Sequence, residues 1–181
     1  MMRFSSQRLE FRELQPDDVS TDYIAWLNDP EINRFLETRF DPQDEASIRG
    51  FVTAQAASAD AFLLRIGLRG SDTHIGNIKL GPINRCHDRA QISLLIGSRA
   101  HHGQGYATEA ICAVTRWGFR THELARIEGG CYADNLASLR AFLKAGYNVE
   151  GFCRDAVISA TGERQGTFWF ARLASDSAGG A

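Results

Sequence analysis

A chain of 181 residues, 44% hydrophobic and 23% charged, fits one ordinary domain that can bury a core without staples. Its net charge of −2 gives no bulk pull toward nucleic acid or an anionic lipid surface, so neither partner is expected. The opening "MMRFSSQRLEFREL" lacks the apolar core of a signal peptide, and no apolar run approaches the ~20 residues of a membrane span. A cytoplasmic protein is the expectation. Cys86, Cys112, Cys131 and Cys153 contain no C-x-x-C pair, which points to free thiols rather than zinc or a redox pair.

In chain order, "RLEFREL" (8–14) alternates apolar and polar residues as a half-buried strand does. "PDDVSTDYIAWLND" (16–29) sets Val19, Tyr23, Trp26 and Leu27 at helical spacing, with Pro30 ending that helix. A short second helix is expected over 31–37. A third is expected in "DPQDEASIRGFVTAQ", with Asp41 as cap, Pro42 in the first turn, and Ile48, Phe51 and Val52 facing inward. The period then changes to that of a strand. "AFLLRIGLRG" and "HIGNIKLGPI" flank "SD" as a hairpin, and "AQISLLIGS" is a third strand. From 106 to 119, Ala107, Ala110, Ile111, Val114 and Trp117 line one helix face. "ARIEGGCYA" reads as a strand, and "DNLASLRAFLKAG" as a helix capped by Asp134 or Asn135 and ended by Gly146. "YNVEGFCRDAVIS" and "RQGTFWFARL" are two final strands around the turn "ATGE". This order predicts one mixed α+β domain with a central sheet over 1–173, and a frayed tail over 174–181.

Residues 98–110, "SRAHHGQGYATEA", join a strand to a helix. Gly103 and Gly105 permit a tight turn and a close ligand approach at a helix start. Unpaired N–H groups and the positive end of the helix dipole converge there, which suits a phosphate or pyrophosphate. A Walker loop is excluded, because no G-K-[S/T] follows. Thr108 takes the third glycine position of a G-x-G-x-x-G, and the segment follows a meander rather than opening a βαβ unit. A nucleotide-cofactor oxidoreductase, with Glu123 as the ribose carboxylate, is therefore the lesser alternative. His101 and His102 are adjacent in an extended segment with no clustered Asp, Glu or Cys, so no metal site is expected. His101 is expected to be solvated.

Downstream, "ADNLASLRAFLKAGY" puts Asn135 and Ser138 three apart on the first turn of a helix that follows a strand. Together, "HHGQGYATEA" and "NLASLRAFLKAGYNVEG" resemble the acetyl-CoA-binding motifs of the GNAT N-acetyltransferases, in particular the RimJ/RimL-like branch. The resemblance runs from about residue 8 to 173. It implies a GNAT-like fold: a central, mostly antiparallel twisted sheet of about seven strands flanked by helices. Acetyl-CoA would lie at a splay between the two central strands. It also implies direct transfer of an acetyl group from acetyl-CoA to a primary amine, either a protein N-terminus or a small amine such as an amino sugar. No metal is implied, and the protein would be a monomer or homodimer.

By the same resemblance, His102, Gly103, Gln104, Gly105, Tyr106, Ala107 and Thr108 hold the coenzyme pyrophosphate. Thr108 either contacts a phosphate or bonds within its own helix. The strand at 94–97, with Leu95, Ile96 and Gly97, pairs through its backbone with the pantetheine arm and polarises the thioester carbonyl. Asn135 contacts the cofactor or caps its helix. The family often has Arg or Gln three residues before the first glycine; here it is Ala100, with Arg99 pointing elsewhere. The tyrosine acid of many relatives is absent, since Phe142 and Leu143 occupy that stretch. The serine that can replace it corresponds to Ser138, which protonates the leaving sulfur or else reinforces the helix start. Tyr132, Tyr106 and Tyr147 are weaker substitutes.

Gln91 stands where a family-style glutamate base would be, leaving Asp134, an N-terminal acid or water for that task. Trp26, Asn28, Phe35 and Arg39 belong to the segment that covers the acceptor side in relatives. Trp26 and Phe35 are expected to pack in the core; Asn28 and Arg39 read the acceptor or close turns. Gln91 and Tyr132 are the other acceptor candidates. The missing tyrosine and glutamate leave a non-catalytic acyl-CoA-binding module as the main alternative.

Overall fold

The computed structural model describes residues 2–178. The chain opens with β1 (Arg3–Ser5) and β2 (Leu9–Glu13), followed by α1 (Thr21–Asn28), α2 (Pro30–Asn33) and α3 (Glu45–Ala56). The meander is β3 (Phe62–Leu68), β4 (His74–Asn84) and β5 (Arg89–Ile96). Then come α4 (Tyr106–Thr121), β6 (Arg126–Tyr132), α5 (Leu136–Lys144), β7 (Asn148–Ile158) and β8 (Arg164–Leu173). All eight strands form one sheet in the order β1-β2-β3-β4-β5-β6-β8-β7. The additional strand is β1, which folds back on β2 with Phe4 opposite Phe11.

Among the described residues only β5 and β6 pair in parallel, and briefly: Arg89 with Arg126, Ala90 with Ile127, Gln91 with Glu128. Beyond Gln91 the two strands part, which is the expected splay. Side chains alternate along β5 as in any strand. Ile92, Leu94 and Ile96 join the core under α4 and α5, with Ile78, Leu80, Ala110, Ile111, Val114 and Phe142. Leu95 faces the other way, into the core of α1 and α3 built on Trp26, Leu27, Ile48, Val52 and Leu63.

Several boundaries differ from the sequence reading. The first helix begins as a separate 3-10 turn, Pro16–Asp18, and α1 starts only after Ser20, whose hydroxyl accepts from Tyr23 N–H at 3.2 Å. Pro30 ends α1 and also opens α2, where its missing N–H is no loss. The helix expected over 31–37 stops at Asn33. The cap of α3 is Asp44, not Asp41: Asp44 accepts from Ser47 N–H at 2.7 Å and Ser47 Oγ at 2.6 Å. Asp41 instead closes the 3-10 turn Glu37–Phe40. Phe51 is 47% exposed, so Ile48 and Val52 alone make the inner stripe. Ala174–Ala178 form a 3-10 turn, with Ala174 N–H on Ala125 O at 2.9 Å. Residues 179–181 of the expected tail lie outside the described residues.

Candidate active site

The glycine loop meets the requirement for an anion cradle at the level of backbone. Gly103 has φ +72 and Gly105 φ +82, a region that side chains with a Cβ rarely adopt. Gly105 occupies the N-cap position of α4 and has no side chain to offer its amides. Among the described residues α1, α2, α3 and α5 are capped by Ser20, Asp29, Asp44 and Asn135; α4 has no such cap. The first N–H groups of this 16-residue helix, at Tyr106, Ala107 and Thr108, are therefore left for an external acceptor.

The strand that leads into the loop turns toward the splay a backbone edge that no strand pairs beyond Gln91. Gly97 N–H donates to Ile75 O at 2.9 Å, toward β4. By the alternation of an antiparallel ladder, the amides and carbonyls of Leu94 and Ile96 point the opposite way, where β6 has departed. His102 tells the same story, because its Nε2–H donates to Ile96 O at 2.7 Å. Its own amide goes to Arg99 O at 3.1 Å. The His102 ring thus holds the loop against β5, and its amide closes the 3-10 turn Arg99–His101. His101 is half-buried, not solvated: Nδ1 shares a hydrogen bond of 2.7 Å with Ser98 Oγ, and the ring meets Tyr106 edge-on. Among the described residues no three His, Cys, Asp or Glu side chains gather to hold a metal ion.

Between β5 and β6 lies a cleft of about 910 Å³. It gathers most of the residues singled out in the sequence: Gln91, Leu95, Ile96, His102, Gly103, Gly105, Tyr106, Ala107, Thr108, Tyr132, Asn135 and Ser138. Gly97, Gln104, Trp26, Asn28 and Arg39 are not part of its wall. Gln104 donates to Ala100 O at 2.6 Å and so shapes the loop from within. A Cβ on Gly97 would lie 2.0 Å from Trp26 Cδ2, so this glycine lets buried Trp26 pack on the end of β5. Asn28 donates to Ile24 O and Gln43 O at 2.9 and 2.7 Å, which is a turn closure.

On the α5 side, Asn135 Oδ1 accepts from Ser138 N–H at 3.1 Å, so the cap and the candidate acid share one turn. The Ser138 hydroxyl lies against the Cys131 thiol. Burial pushes that thiol up to about 11, which keeps it protonated and removes it as a nucleophile near neutral pH. Tyr147 is taken out of consideration as an acid: it is buried, and its hydroxyl is bonded to Thr115 Oγ1 at 2.6 Å.

The opposite face carries a second polar group of residues. Tyr132, at the end of β6, donates its hydroxyl proton to Glu37 Oε1 and accepts from Arg39 Nη1 at 2.9 Å. Arg39 also donates to Leu36 O at 2.7 Å and to Ile158 O, tying this segment to β7. Burial first, and then Glu37, raise the Tyr132 phenol above its ordinary value. Phe35 meets the Tyr132 ring edge-on and lines the cleft with Glu31, Arg34, Glu37 and Trp169.

Sequence reasoning did not find Arg8. From the turn between β1 and β2 it donates to Gln104 O at 3.0 Å, lies over the Tyr106 ring at 4.3 Å, and pairs with Glu109 at 2.6 Å. Glu109 also accepts from Ser6 Oγ and Arg8 N–H, both at 2.7 Å. Burial works to raise the Glu109 pKa, but these donors hold it below the usual carboxylate value. The glycine loop is therefore latched from the N-terminal hairpin. Arg99 does turn away from the loop, its Nη2 donating to both carboxylate oxygens of Asp29 at 2.8 Å.

An uncapped helix start, an edge that no strand pairs and a two-faced cleft at a parallel splay suit a long phosphorylated thioester and an attacking group from the far side. Comparison with known proteins agrees. Residues 8–148 match the acetyltransferase (GNAT) domain family. The uncharacterized N-acetyltransferase YoaA of Bacillus subtilis (strain 168) is 30% identical over 151 residues, which is 82% of this chain and 84% of that protein. The fold is shared with spermidine N-acetyltransferase from Vibrio cholerae, solved with CoA and spermine. Its TM-score is 0.84 at 18% identity, over 94% of this chain and 98% of that one. It is shared too with RimL, a ribosomal L7/L12 alpha-N-protein acetyltransferase solved with coenzyme A. There the TM-score is 0.81 at 18% identity, over 93% and 95% of the two chains. The chain belongs to the GNAT acetyltransferase family and is an acetyl-CoA-dependent N-acetyltransferase.

Proposed function

We propose that the protein is a RimJ/RimL-like N-acetyltransferase that acts in the cytoplasm. It takes acetyl-CoA on the α4–α5 face of the sheet and a primary amine on the face of α1 and α2. One observation carries the reading: a single cleft between β5 and β6 is lined by residues of both cores, Leu94 and Ile96 from one and Ile32, Leu36 and Leu95 from the other. The pyrophosphate rests on Gly103, Gly105 and the amides of Tyr106, Ala107 and Thr108. The pantetheine arm runs along the splayed edge of β5, whose Leu94 and Ile96 amides polarise the thioester carbonyl as negative charge develops there. Ser138 supplies a proton to the departing sulfur. A thiol of pKa ~8.5 is a fair leaving group, so a weak acid in contact is sufficient help. The amine attacks directly; Cys131, the cysteine on the cleft wall, is buried and biased toward its neutral thiol.

The acceptor is a peptide N-terminus, as RimL's description suggests, or a small amine, as the spermidine enzyme's does. Cytoplasmic action is supported by four free cysteines, stable in a reducing compartment. Among the described residues no helix is long and apolar enough to cross a membrane. The test is thiol release from acetyl-CoA with an N-terminally free tripeptide, glucosamine and spermidine, beside calorimetry with coenzyme A and NAD. At least one amine is expected to release thiol, and coenzyme A to bind. Coenzyme binding without thiol release would identify a binding module; NAD binding in place of coenzyme A would overturn the reading.

A further inference from the structure

We infer that Glu37 receives the acceptor's ammonium group and takes its first proton, with Tyr132 as the residue that positions it. This rests on the N-acetyltransferase reading above. An amine is protonated near neutral pH and cannot attack until it loses a proton, so the site needs a carboxylate or its equivalent on the acceptor side. The strand position that could provide one is Gln91, which has no useful basicity.

Glu37 lines the cleft on the face opposite the glycine loop, in the 3-10 turn that follows α2. Tyr132, only 7% exposed and rooted in β6 beyond the splay, donates its one hydroxyl proton to Glu37 Oε1. Arg39 donates to the phenol oxygen, which fixes the direction of that proton. Oε2 of Glu37 has no hydrogen-bond partner among the described residues. Nor has Glu37 an ion-pair partner among them. Glu109, Glu128 and Glu150, in contrast, are each closed off by an arginine. A carboxylate oriented by a buried phenol and open to a cleft is suited to a cationic ligand.

The neighbouring groups narrow the choice. Glu31 lines the same end of the cleft, but no donor from the sheet orients it; Asp134 lines it at the entry to α5, beside the residues assigned to the coenzyme. Arg34 and Lys79 share the wall and discourage a ligand carrying several positive charges in a row. Phe35, whose ring meets that of Tyr132, and Trp169 give the cleft aromatic surface, which suits a single ammonium on an apolar stem.

The proton balance is simple. Glu37 takes one proton from the ammonium, and the nitrogen lone pair forms the bond to the acetyl carbon as the carbon–sulfur bond breaks. The sulfur gains a proton through Ser138, replaced by the second proton lost from nitrogen. Glu37 then returns its proton to solvent.

The experiment compares the parent with Glu37→Gln, Glu37→Asp and Tyr132→Phe. The varied amine is whichever of the tripeptide, glucosamine and spermidine is turned over fastest, at saturating acetyl-CoA. Glu37→Gln is expected to lower kcat/KM for the amine about 100-fold, while coenzyme A affinity by calorimetry stays within about twofold. Glu37→Asp should recover part of that loss, and Tyr132→Phe should lose about tenfold with a raised amine KM. If the parent turns over an amine and Glu37→Gln does so equally well, or loses coenzyme A affinity as well, the inference fails while the enzyme reading stands. If the parent releases no thiol with any of the amines, the enzyme reading falls and takes this inference with it.

Discussion

Gly103 and Gly105, rather than the adjacent histidine pair, carry the proposed anion cradle of the loop. Their positive φ values shape the loop, and the missing cap of α4 leaves its first amides without a side-chain acceptor. Gly103→Val or Gly105→Val should therefore weaken coenzyme A binding by at least about tenfold, or ~1.4 kcal/mol, because a β-branched residue resists that backbone. His101→Ala should stay within about threefold. Calorimetric titration with coenzyme A measures both, and the opposite ranking would contradict the cradle. The glycines were legible because their requirement is local. Arg8 was not, because its partners Gln104 and Glu109 lie about a hundred residues away and meet it only through the fold. Nor was the role of His102, whose acceptor is a carbonyl of the preceding strand. Nothing in the neighbourhood of Glu37 marks it, since Tyr132 reaches it across 95 positions of sequence.

At the scale of elements, period and caps revealed the helices of the second half well. Asn135 and Gly146 bound α5 as read. The N-terminal helices were less legible because several acidic residues compete as caps. Asp44 beats Asp41 through the extra bond from Ser47, which a list of cap preferences does not weigh. Gly97 shows how packing between elements reaches the site. It was singled out for the pantetheine arm, yet its lack of a Cβ is also what allows α1 to press Trp26 onto β5. Gly97→Ala should displace that indole and lower stability by about 1–3 kcal/mol, read from urea unfolding. Coenzyme A affinity should fall with it, because the strand edge that faces the splay moves. An unchanged unfolding midpoint would show that Trp26 gives way freely.

For the whole molecule, pH reports how two half-buried histidines sit against the cores. Burial holds His74, against Tyr23 and Trp26, below the ordinary 6.5, and its bonds to Asn77 and Gly76 offset this only in part. His122, between Phe62 and Trp117, is lowered by burial as well. Below pH 6.5 the unfolded chain binds protons that the folded chain does not, so stability present above 6.5 declines as pH falls. Paired carboxylates such as Asp18 and Glu109, lowered from 3.8 and 4.5, add their own loss only at lower pH. Urea midpoints should therefore drop between pH 6.5 and 5, and His74→Gln should flatten that drop; identical slopes would exclude His74. The overall architecture was legible because the order of strands and helices admits few arrangements. A splay between two central strands was expected only through family resemblance, and the short parallel contact of β5 with β6 was not legible, since no local pattern distinguishes a strand that pairs for three residues from one that pairs along its length.

A cleft lined from both faces of the sheet can receive one substrate from each, and this bears on the kinetics. Donor and acceptor need not queue for one doorway, so both can be seated at once and either product can leave without waiting for the other. Initial rates measured over a grid of both substrates should give intersecting double-reciprocal lines; parallel lines would mean that the acetyl group is parked on the protein between half-reactions. The bulk of the acceptor can also stay outside the cleft, because only a terminal amine has to reach the thioester. Tolerance for large acceptors is then a matter of what surrounds the opening, not of the volume within.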